Sequence, residues 1–177
     1  LIDGDKVVTY AAFGDQVRRT AGHLAPLGVR AGDDVAVCLQ EHAGTPVAWF
    51  ALAHLGARLL PMDWRWMPVE QQRFVDLFRP RLMLAEPDRK LPTGVEAAAL
   101  DASWYAAVAA CGRDVAMAPG GDMPATVYIS SGTTGMPKAY THTHKSFLDV
   151  LSTHWIGLGV NENDRCLSTM PLAFTAG

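Results

Sequence analysis

The hydrophobic positions of this chain follow two alternating spacings. Five apolar residues recur at intervals of three and four, which marks one face of a helix: Tyr10, Phe13, Val17, Ala21 and Leu24. Gly28 follows as a helix stop. Short apolar runs predict strands at 34–40, 57–63, 81–86, 125–130 and 166–172. Further helices are predicted at 45–55, from 67–70 to before Pro80, at 103–111 and from about 144 to 156.

Several residues at the predicted helix ends have the chemistry of caps. Thr45 is the expected N-cap of the second helix, with Pro46 at its first position and Gly56 behind its last residue. Thr143 is the expected N-cap of the last helix, which His144 opens.

Strands that alternate with helices predict βαβ units, and these build a largely parallel sheet with helices on both faces. The chain is therefore assigned to the α/β class. In such sheets, ligands bind in the loops after the carboxyl ends of strands. The segment 130–138 follows a predicted strand, so it lies where this rule expects a site.

Composition narrows the function classes. The chain has 177 residues, 49% of them hydrophobic, with a net charge of −3 and a pI near 6.0. This charge gives no broad basic surface for nucleic acid or an anionic membrane. The uncharged stretch 43–57 contains a proline and is shorter than the roughly 18 apolar residues of a spanning helix, so no transmembrane segment is predicted.

The three cysteines, Cys38, Cys111 and Cys166, are far apart and form no CxxC pair. Buried free thiols in a reducing cytoplasm are favoured over metal ligation or a disulfide. The chain opens on Leu1 and stops at Gly177 inside a motif-like run, so we expect a fragment of a longer protein.

Hydroxyls, glycines and one cation are concentrated in the segment YISSGTTGMPKAYTHTH, residues 128–144. Four side chains are hydroxyl donors: Ser130, Ser131, Thr133 and Thr134. Gly132 and Gly135 allow a ligand to approach the backbone, where successive N–H groups bind anion oxygens. Lys138 adds a mobile point charge suited to a phosphate chain. This chemistry predicts a site for several phosphate oxygens.

The spacing differs from two better-known phosphate loops. Two residues separate Gly135 from Lys138, and Ala139 follows the lysine, so the Gly-Lys-Ser/Thr triplet of a P-loop is absent. The GxGxxG dinucleotide pattern is absent too. The alternative is a flexible surface turn, which the ordered string between a strand and a helix disfavours.

The string YISSGTTGMPK resembles the signature of the adenylate-forming superfamily, which includes acyl-CoA synthetases, firefly luciferase and the adenylation domains of peptide synthetases. Other segments resemble family motifs in the family's order: VVTYAAFGDQVRRTAGHL, GVRAGDDVAVCL, LGARLLPMDWRWMPVE and MPLAFTAG. Residues 1–177 are therefore expected to be the N-terminal part of the large AMP-binding domain, without its C-terminal part and without the small C-terminal domain.

The resemblance implies a reaction in two steps. A carboxylate attacks the α-phosphate of ATP to give an acyl-adenylate and pyrophosphate, and the thiol of coenzyme A then displaces AMP. Seven residues would bind the β- and γ-phosphates: Ser130, Ser131, Gly132, Thr133, Thr134, Gly135 and Lys138. Mg²⁺ would neutralise part of the phosphate charge. Among these, the catalytic roles are assigned to Lys138 and Thr134.

The same resemblance implies a small-molecule carboxylic acid, ATP and coenzyme A as partners, a place in fatty acid metabolism, and the cytoplasm as location. A homodimer is one option for the oligomeric state. The family's adenine-binding stretch, Mg²⁺-binding Glu, ribose-binding Asp and C-terminal catalytic lysine are expected beyond Gly177, so this fragment alone is expected to be inactive.

Four positions in or near the motifs bear on mobility and specificity. Ala139 replaces a family glycine and Tyr140 a small aliphatic residue, changes expected to affect the mobility of the loop more than its donors. Phe174 stands where the family commonly has a His that borders the acyl pocket, so the acid specificity stays open. His144 belongs to a Thr-His pair common in the family, which implies a supporting role near the substrate pocket.

Other polar and aromatic residues have simpler interpretations. His142 and His144 form an HxH pair, but no nearby third ligand completes a metal site. Trp64 and Trp66 are expected to pack beneath the following helix rather than form a surface patch for a partner. Three acids are interpreted as solvated loop residues: Asp101, Asp114 and Asp122.

Three functions therefore stay open. The first is an acyl-CoA synthetase, and its close variant is an adenylation domain that loads a carrier protein. The third is a non-catalytic relative that acts as a binding module, against which the intact phosphate segment argues.

Overall fold

The computed structural model describes residues 1–40, 43–118, 120–130, 138–167 and 173. These residues form eight strands: β1 Ile2–Asp3, β2 Lys6–Val7, β3 Asp34–Cys38, β4 Arg58–Pro61, β5 Leu82–Ala85, β6 Ala97–Ala99, β7 Pro124–Ser130 and β8 Lys138–Thr143. They also form five α-helices: α1 Tyr10–Leu24, α2 Gly44–Leu55, α3 Pro68–Phe78, α4 Ala102–Ala110 and α5 His144–Leu158. A 3₁₀ turn, Ala25–Leu27, follows α1 and ends at Gly28 in the left-handed conformation.

Six strands form one sheet in the order β6-β5-β3-β4-β7-β8, while β1 and β2 pair separately as an antiparallel ribbon. Neighbours in the large sheet are parallel except for β7 and β8. Ala36 of the central strand pairs with Leu60 on one side and Met83 on the other. The predicted α/β class with a largely parallel sheet is confirmed.

Alternate residues of the inner strands point to opposite faces of the sheet. One face packs against α1, α2 and α4 through Val35, Val37, Leu59, Leu82 and Leu84. The other packs against Phe74 and Val75 of α3 through Ala36, Cys38, Leu60, Met83 and Ala85. Helices therefore cover both faces, as predicted.

Helix α2 begins earlier than its sequence suggests. Ala43 is the N-cap and already has helical torsion angles, φ −57° and ψ −19°, so the first turn starts before Thr45. The expected capping role of Thr45 is therefore wrong, and its buried Oγ1 has no hydrogen-bond partner among the described residues. The predicted stop is confirmed, since Gly56 caps the helix with φ 72°.

The region 87–124 contains more structure than predicted. The short strand β6 pairs with β5, and the N–H of Met83 donates to the carbonyl of Glu96 at 2.8 Å. Asp101 is not simply a solvated loop acid, because its Oδ1 accepts from the N–H of Trp104 at 2.9 Å and caps α4. Asp114 and Asp122 are exposed, as expected.

The C-terminal part of the chain is the most exposed. None of the fifteen described residues of α5 is buried, and Trp155, Ile156 and Leu158 are large exposed apolar side chains. In the strand predicted at 166–172, Cys166 and Leu167 form no strand, and the other residues lie outside the described part.

The prediction of buried thiols is correct for one cysteine. Cys38 is buried in β3, Cys111 is partly buried and Cys166 is exposed, and all three are free. Among the described residues, no helix is both long enough and apolar enough to cross a lipid bilayer.

Candidate functional site in the β7–β8 hairpin

The predicted phosphate segment joins two strands at the edge of the sheet. β7 lies between β4 and β8, and Ser130 at its end pairs with Lys138 at the start of β8. Phe174 lies outside the described part of the chain. The five other residues assigned to phosphate binding also lie outside it: Ser131, Gly132, Thr133, Thr134 and Gly135. For Ser130 and Lys138, the structure gives the backbone pairing that brings the two ends of this segment together.

A strand, and not a helix, follows the segment. The sequence predicts a strand, a loop and then a helix, whereas the structure has β8 antiparallel to β7 before α5 begins at His144. This correction has a signal in the sequence, because Tyr140, Thr141 and Thr143 are residue types that favour strands. The candidate site is therefore the tip of a β-hairpin.

β7 is held firmly on the side away from β8. Thr126 is fully buried, pairs with Leu59 of β4, and donates its hydroxyl to the Leu59 carbonyl at 3.0 Å. Val127 and Ile129 contribute to the cluster on the α3 face. These contacts connect the hairpin to the parallel core of the sheet.

An aromatic group occupies the hairpin. The rings of Tyr128 and Tyr140 stack with centroids 6.0 Å apart, and the ring of His142 lies 5.5 Å from that of Tyr140. The His142 ring is also 4.9 Å from Phe147 of α5, which in turn lies 5.2 Å from Trp49 of α2. Ring contacts therefore run from the hairpin to two helices.

The tyrosine hydroxyl inside this group has an altered acidity. Burial, with a smaller contribution from Tyr140, raises the pKa of Tyr128 to about 12. The phenol therefore stays neutral at physiological pH. Tyr128 contributes a packed ring to this group.

His144 and the α5 cap lie beside the hairpin. Thr143 caps the helix as predicted, because its Oγ1 accepts from the N–H of Ser146 at 3.1 Å while the Ser146 Oγ accepts from the N–H of Thr143 at 3.0 Å. The N–H of His144 donates to the carbonyl of Met123 at 3.1 Å. His144 is therefore fixed at the start of α5, at the end of the hairpin opposite to the tip.

The two histidines of the HxH pair have different surroundings. His142 is packed among rings, and its Nδ1 lies 3.3 Å from the hydroxyl of Ser146. His144 opens the helix. Within the described part of the chain, no three His, Cys, Asp or Glu side chains are grouped as metal ligands.

A second polar group lies after β4. Asp63 is buried and accepts from Arg65 through both of its oxygens, with Nε–Oδ1 at 2.9 Å and Nη2–Oδ2 at 2.7 Å. These hydrogen bonds lower the pKa of Asp63 despite its burial. Burial raises the pKa of the nearby Cys38 thiol to about 11, so this thiol is a poor nucleophile at neutral pH.

The tryptophans of this segment are structural. Trp66 lies 5.6 Å from Phe74 of α3, and Trp64 belongs to the same cluster, so the predicted packing under the helix is confirmed. The carbonyl of Trp64 accepts from the guanidinium of Arg89. The pair therefore anchors the loop before α3.

A cavity of about 760 Å³, not predicted from the sequence, opens between α1, α4 and the first turn of α2. Its lining includes Trp104, Val108 and Arg19. Arg19 binds Asp15 at 2.7 Å and the carbonyl of Ala109 at 2.7 Å, so its charge is already compensated. No described residue of β7 or β8 lines this cavity, which separates it from the hairpin site.

Comparison with known proteins gives concordant results. A family model described as "AMP-binding enzyme" matches residues 1–177. The chain is 35% identical over 156 residues to 4-coumarate–CoA ligase-like 5 of Oryza sativa subsp. japonica, a match that covers 83% of this chain and 29% of the rice protein. It is 27% identical over 173 residues to a linear gramicidin synthase of Brevibacillus parabrevis, covering 96% of this chain and 3% of that protein.

The fold is shared with solved structures. The O-succinylbenzoate coenzyme A synthetase from Bacillus subtilis, solved in complex with AMP, superposes with a TM-score of 0.85 at 23% sequence identity. That match covers 97% of this chain and 45% of the synthetase chain. The chain therefore spans less than half the length of each of these relatives.

Proposed function

Because the chain belongs to the family of AMP-binding enzymes, we propose that it is part of an acid–thiol ligase that forms AMP. A carboxylate oxygen bonds to the α-phosphorus of ATP while the bond to pyrophosphate breaks, which gives an acyl-adenylate. The thiol sulfur of coenzyme A then bonds to the acyl carbon, its proton is lost, and AMP leaves. The products are a thioester, AMP and pyrophosphate.

One observation carries this proposal: the backbone pairing of Ser130 with Lys138 at the carboxyl end of β7. Ligands of α/β sheets bind beyond the carboxyl ends of strands, and the hydroxyl- and glycine-rich residues 131–137 join the two strands there. The segment combines N–H groups, hydroxyls and one lysine, which are the donors that a phosphate chain requires. Its position and its composition therefore support the same ligand.

The individual roles form part of the proposal. The ammonium of Lys138 neutralises charge on the β- and γ-phosphates as the pyrophosphate leaves, and the hydroxyl of Thr134 donates to the same oxygens. Ser130, Ser131, Thr133 and the two glycines contribute further hydroxyls and N–H groups. His144 and Phe174 are proposed to border the acid.

Mg²⁺ would supply Lewis-acid stabilisation of the phosphate charge when bound. In this part of the protein, the residues proposed to hold the phosphates that Mg²⁺ would accompany are Ser130, Thr134 and Lys138. The chain's own contribution is then to orient the phosphates and to compensate their charge with Lys138.

A second candidate differs only in the acceptor thiol. The similarity to the gramicidin synthase supports an adenylation domain that transfers the acyl group to a carrier protein. The adenylation step and the residues proposed for it are the same in both cases. The acceptor can therefore be tested separately.

The proposal is tested by acid-dependent exchange of labelled pyrophosphate into ATP, measured on the full-length protein with short-chain, long-chain and aromatic acids. We expect exchange with one class of acid, and a loss of about 100-fold in Lys138→Ala, because one charge-stabilising group is removed. Thr134→Ala is expected to lower exchange to a smaller extent. Coenzyme A and a carrier protein are then compared as acceptors of the acyl group.

Lys145→Ala is the matched control. Lys145 is exposed on the first turn of α5 and pairs with Asp149 at 2.7 Å, so its removal should change exchange by less than about twofold. Equal activity in Lys138→Ala and Lys145→Ala would contradict the assigned role of Lys138. A folded protein that shows no exchange with any acid would instead support a non-catalytic binding module.

A further inference from the structure

Two tyrosines face each other close to the tip of the hairpin. The pairing runs from Ser130 with Lys138, through Ile129 with Ala139, to Tyr128 with Tyr140. Two residues therefore separate each tyrosine from the 131–137 connection. Their rings are stacked with centroids 6.0 Å apart and an interplanar angle of 27°, which is within the range of favourable aromatic pairs.

The two rings have unequal surroundings. Tyr128 is 3% exposed and belongs to an inner strand, whereas Tyr140 is 38% exposed on the edge strand. The outer ring therefore lies against a ring that the core already holds in place. Contacts of this kind across two strands are a principal source of sheet stability.

Further contacts extend this arrangement to α5. The ring of His142 lies 5.5 Å from Tyr140 and 4.9 Å from Phe147, and its Nδ1 is 3.3 Å from the Ser146 hydroxyl of the helix cap. The position of β8 is thus fixed from both sides, by Tyr128 on β7 and by the first turn of α5.

The register of this hairpin matters because the two strand ends at its tip carry different groups. β7 ends with the hydroxyl residue Ser130, and β8 begins with the cationic residue Lys138. A slip of one residue would turn the side chains of β8 to the opposite face. It would also shift Lys138 along the strand direction, relative to Ser130, by about 3.3 Å, which is the rise of one strand residue. A displacement of this size would shift the backbone of Lys138 relative to that of Ser130, at the two ends of the segment proposed to bind one anion.

We propose that Tyr140 is a positioning residue for the phosphate site, since its ring stacked on Tyr128 fixes the register in which Ser130 and Lys138 pair. This inference rests on the proposed function, because the register affects catalysis only if the hairpin binds the phosphates of ATP during the adenylation step. Tyr140 acts through the backbone of the hairpin and takes no part in proton transfer.

The test compares Tyr140→Val, Tyr140→Phe and Thr141→Val in the full-length protein. Valine keeps the preference for a strand but removes the ring, so the KM for ATP should rise roughly five- to tenfold while the KM for the acid changes by less than about twofold. Tyr140→Phe keeps the ring and should stay within about twofold of the wild type. Thr141 is exposed on the same strand, pairs with Val127 and serves as the control.

An equal KM for ATP in Tyr140→Val and Thr141→Val would overturn the proposal. So would an equal rise in both KM values, because general loosening of the fold predicts that result. Circular dichroism checks the fold of each variant. If Tyr140→Val does not fold, Tyr140→Leu replaces it, and the same criteria apply.

Amide hydrogen exchange separates this inference from the proposed function. Tyr140→Val should speed exchange at Ile129 and Ala139 at least fivefold relative to Thr141→Val, whether or not the protein forms adenylates. Unchanged amide exchange refutes the register role. Faster amide exchange in a protein that lacks pyrophosphate exchange supports the register role and refutes the proposed function.

Discussion

Strands β3 and β5, in the middle of the sheet, are buried on both faces, whereas the edge strand β8 is held by aromatic contacts with one strand and one helix. Ala36 and Met83 have no exposed surface, while Tyr140 is 38% exposed. The centre of the sheet therefore depends on apolar burial. The edge depends on a few directional contacts, and it is the edge that carries the proposed phosphate site.

The two regions of the sheet differ in what their side-chain contacts do: those in the centre stabilise the fold, and those at the edge position β8. A buried strand tolerates little change in side-chain volume, because its neighbours on both faces are close-packed and even one added or removed methylene disturbs their contacts. An edge strand has fewer neighbours, so one ring pair or one cap can decide its register. We therefore expect substitutions in the centre to affect mainly unfolding, and substitutions at the edge to affect mainly ligand binding.

The largest effect is expected from the centre. Leu60→Ala removes a fully buried side chain between the sheet and α3 and should lower the free energy of unfolding by about 2–5 kcal/mol. Leu77→Ala on α3 is the control, because Leu77 is 67% exposed and its loss should cost less than about 0.5 kcal/mol. Chemical denaturation measures both. Similar losses for the two variants would show that burial does not distinguish these positions.

A smaller effect should separate the two regions by function. Asp101→Ala and Thr143→Ala each remove a helix N-cap, so each should cost about 1 kcal/mol of unfolding free energy. Only Thr143 belongs to β8, so Thr143→Ala should also raise the KM for ATP, whereas Asp101→Ala should leave it unchanged. Denaturation together with pyrophosphate exchange tests the pair. A raised KM in both variants would mean that the α4 cap also influences the site.

The smallest effects concern pH and two carboxylates at opposite ends of the parallel strands. Hydrogen bonds from Arg65 lower the pKa of Asp63, whereas desolvation raises the pKa of Asp34 although Arg58 donates to it at 2.9 Å. The stabilisation by Asp63 is therefore complete above about pH 4 and is lost as the pH falls through its lowered pKa. The contribution of Asp34 has the opposite sign and is lost as the pH rises through its raised pKa.

Unfolding experiments across this acidic range test both directions. The difference in stability between the wild type and Asp63→Asn should shrink below about pH 4, and Arg65→Met should show the same profile. For Asp34, the stability of the wild type relative to Asp34→Asn should instead fall as the pH rises above about 4. Parallel curves for the two Asn variants would be incompatible with opposite pKa shifts.

Much of the central fold follows from sequence patterns. The apolar spacing from Tyr10 to Leu24 gives both ends of α1, and Pro68 marks the first position of α3. These signals work because periodicity and caps act locally. Thr45 is not the cap because the helical conformation already begins at Ala43, which the Thr45-Pro46 pattern does not reveal.

The hairpin could be predicted only in part. The segment 130–138 is recognisable because its donors, glycines and lysine are contiguous in the sequence. Strand β8 has only a weak signal, the strand-favouring types of Tyr140, Thr141 and Thr143, because its six residues, Lys138–Thr143, include no run of apolar residues. The stacking of Tyr140 on Tyr128 joins residues on two different strands, so no local pattern reveals it.

The pairing of Ser130 with Lys138 also bears on the length of the segment between them. Seven residues join two points that are about 5 Å apart, the distance between paired strands. In polymer terms, the hairpin itself brings the chain ends together, and doubling the connection would cost only about 0.6 kcal/mol of closure free energy. The sheet therefore places little constraint on this length, so the length can follow the geometry of the anion that is proposed to bind there.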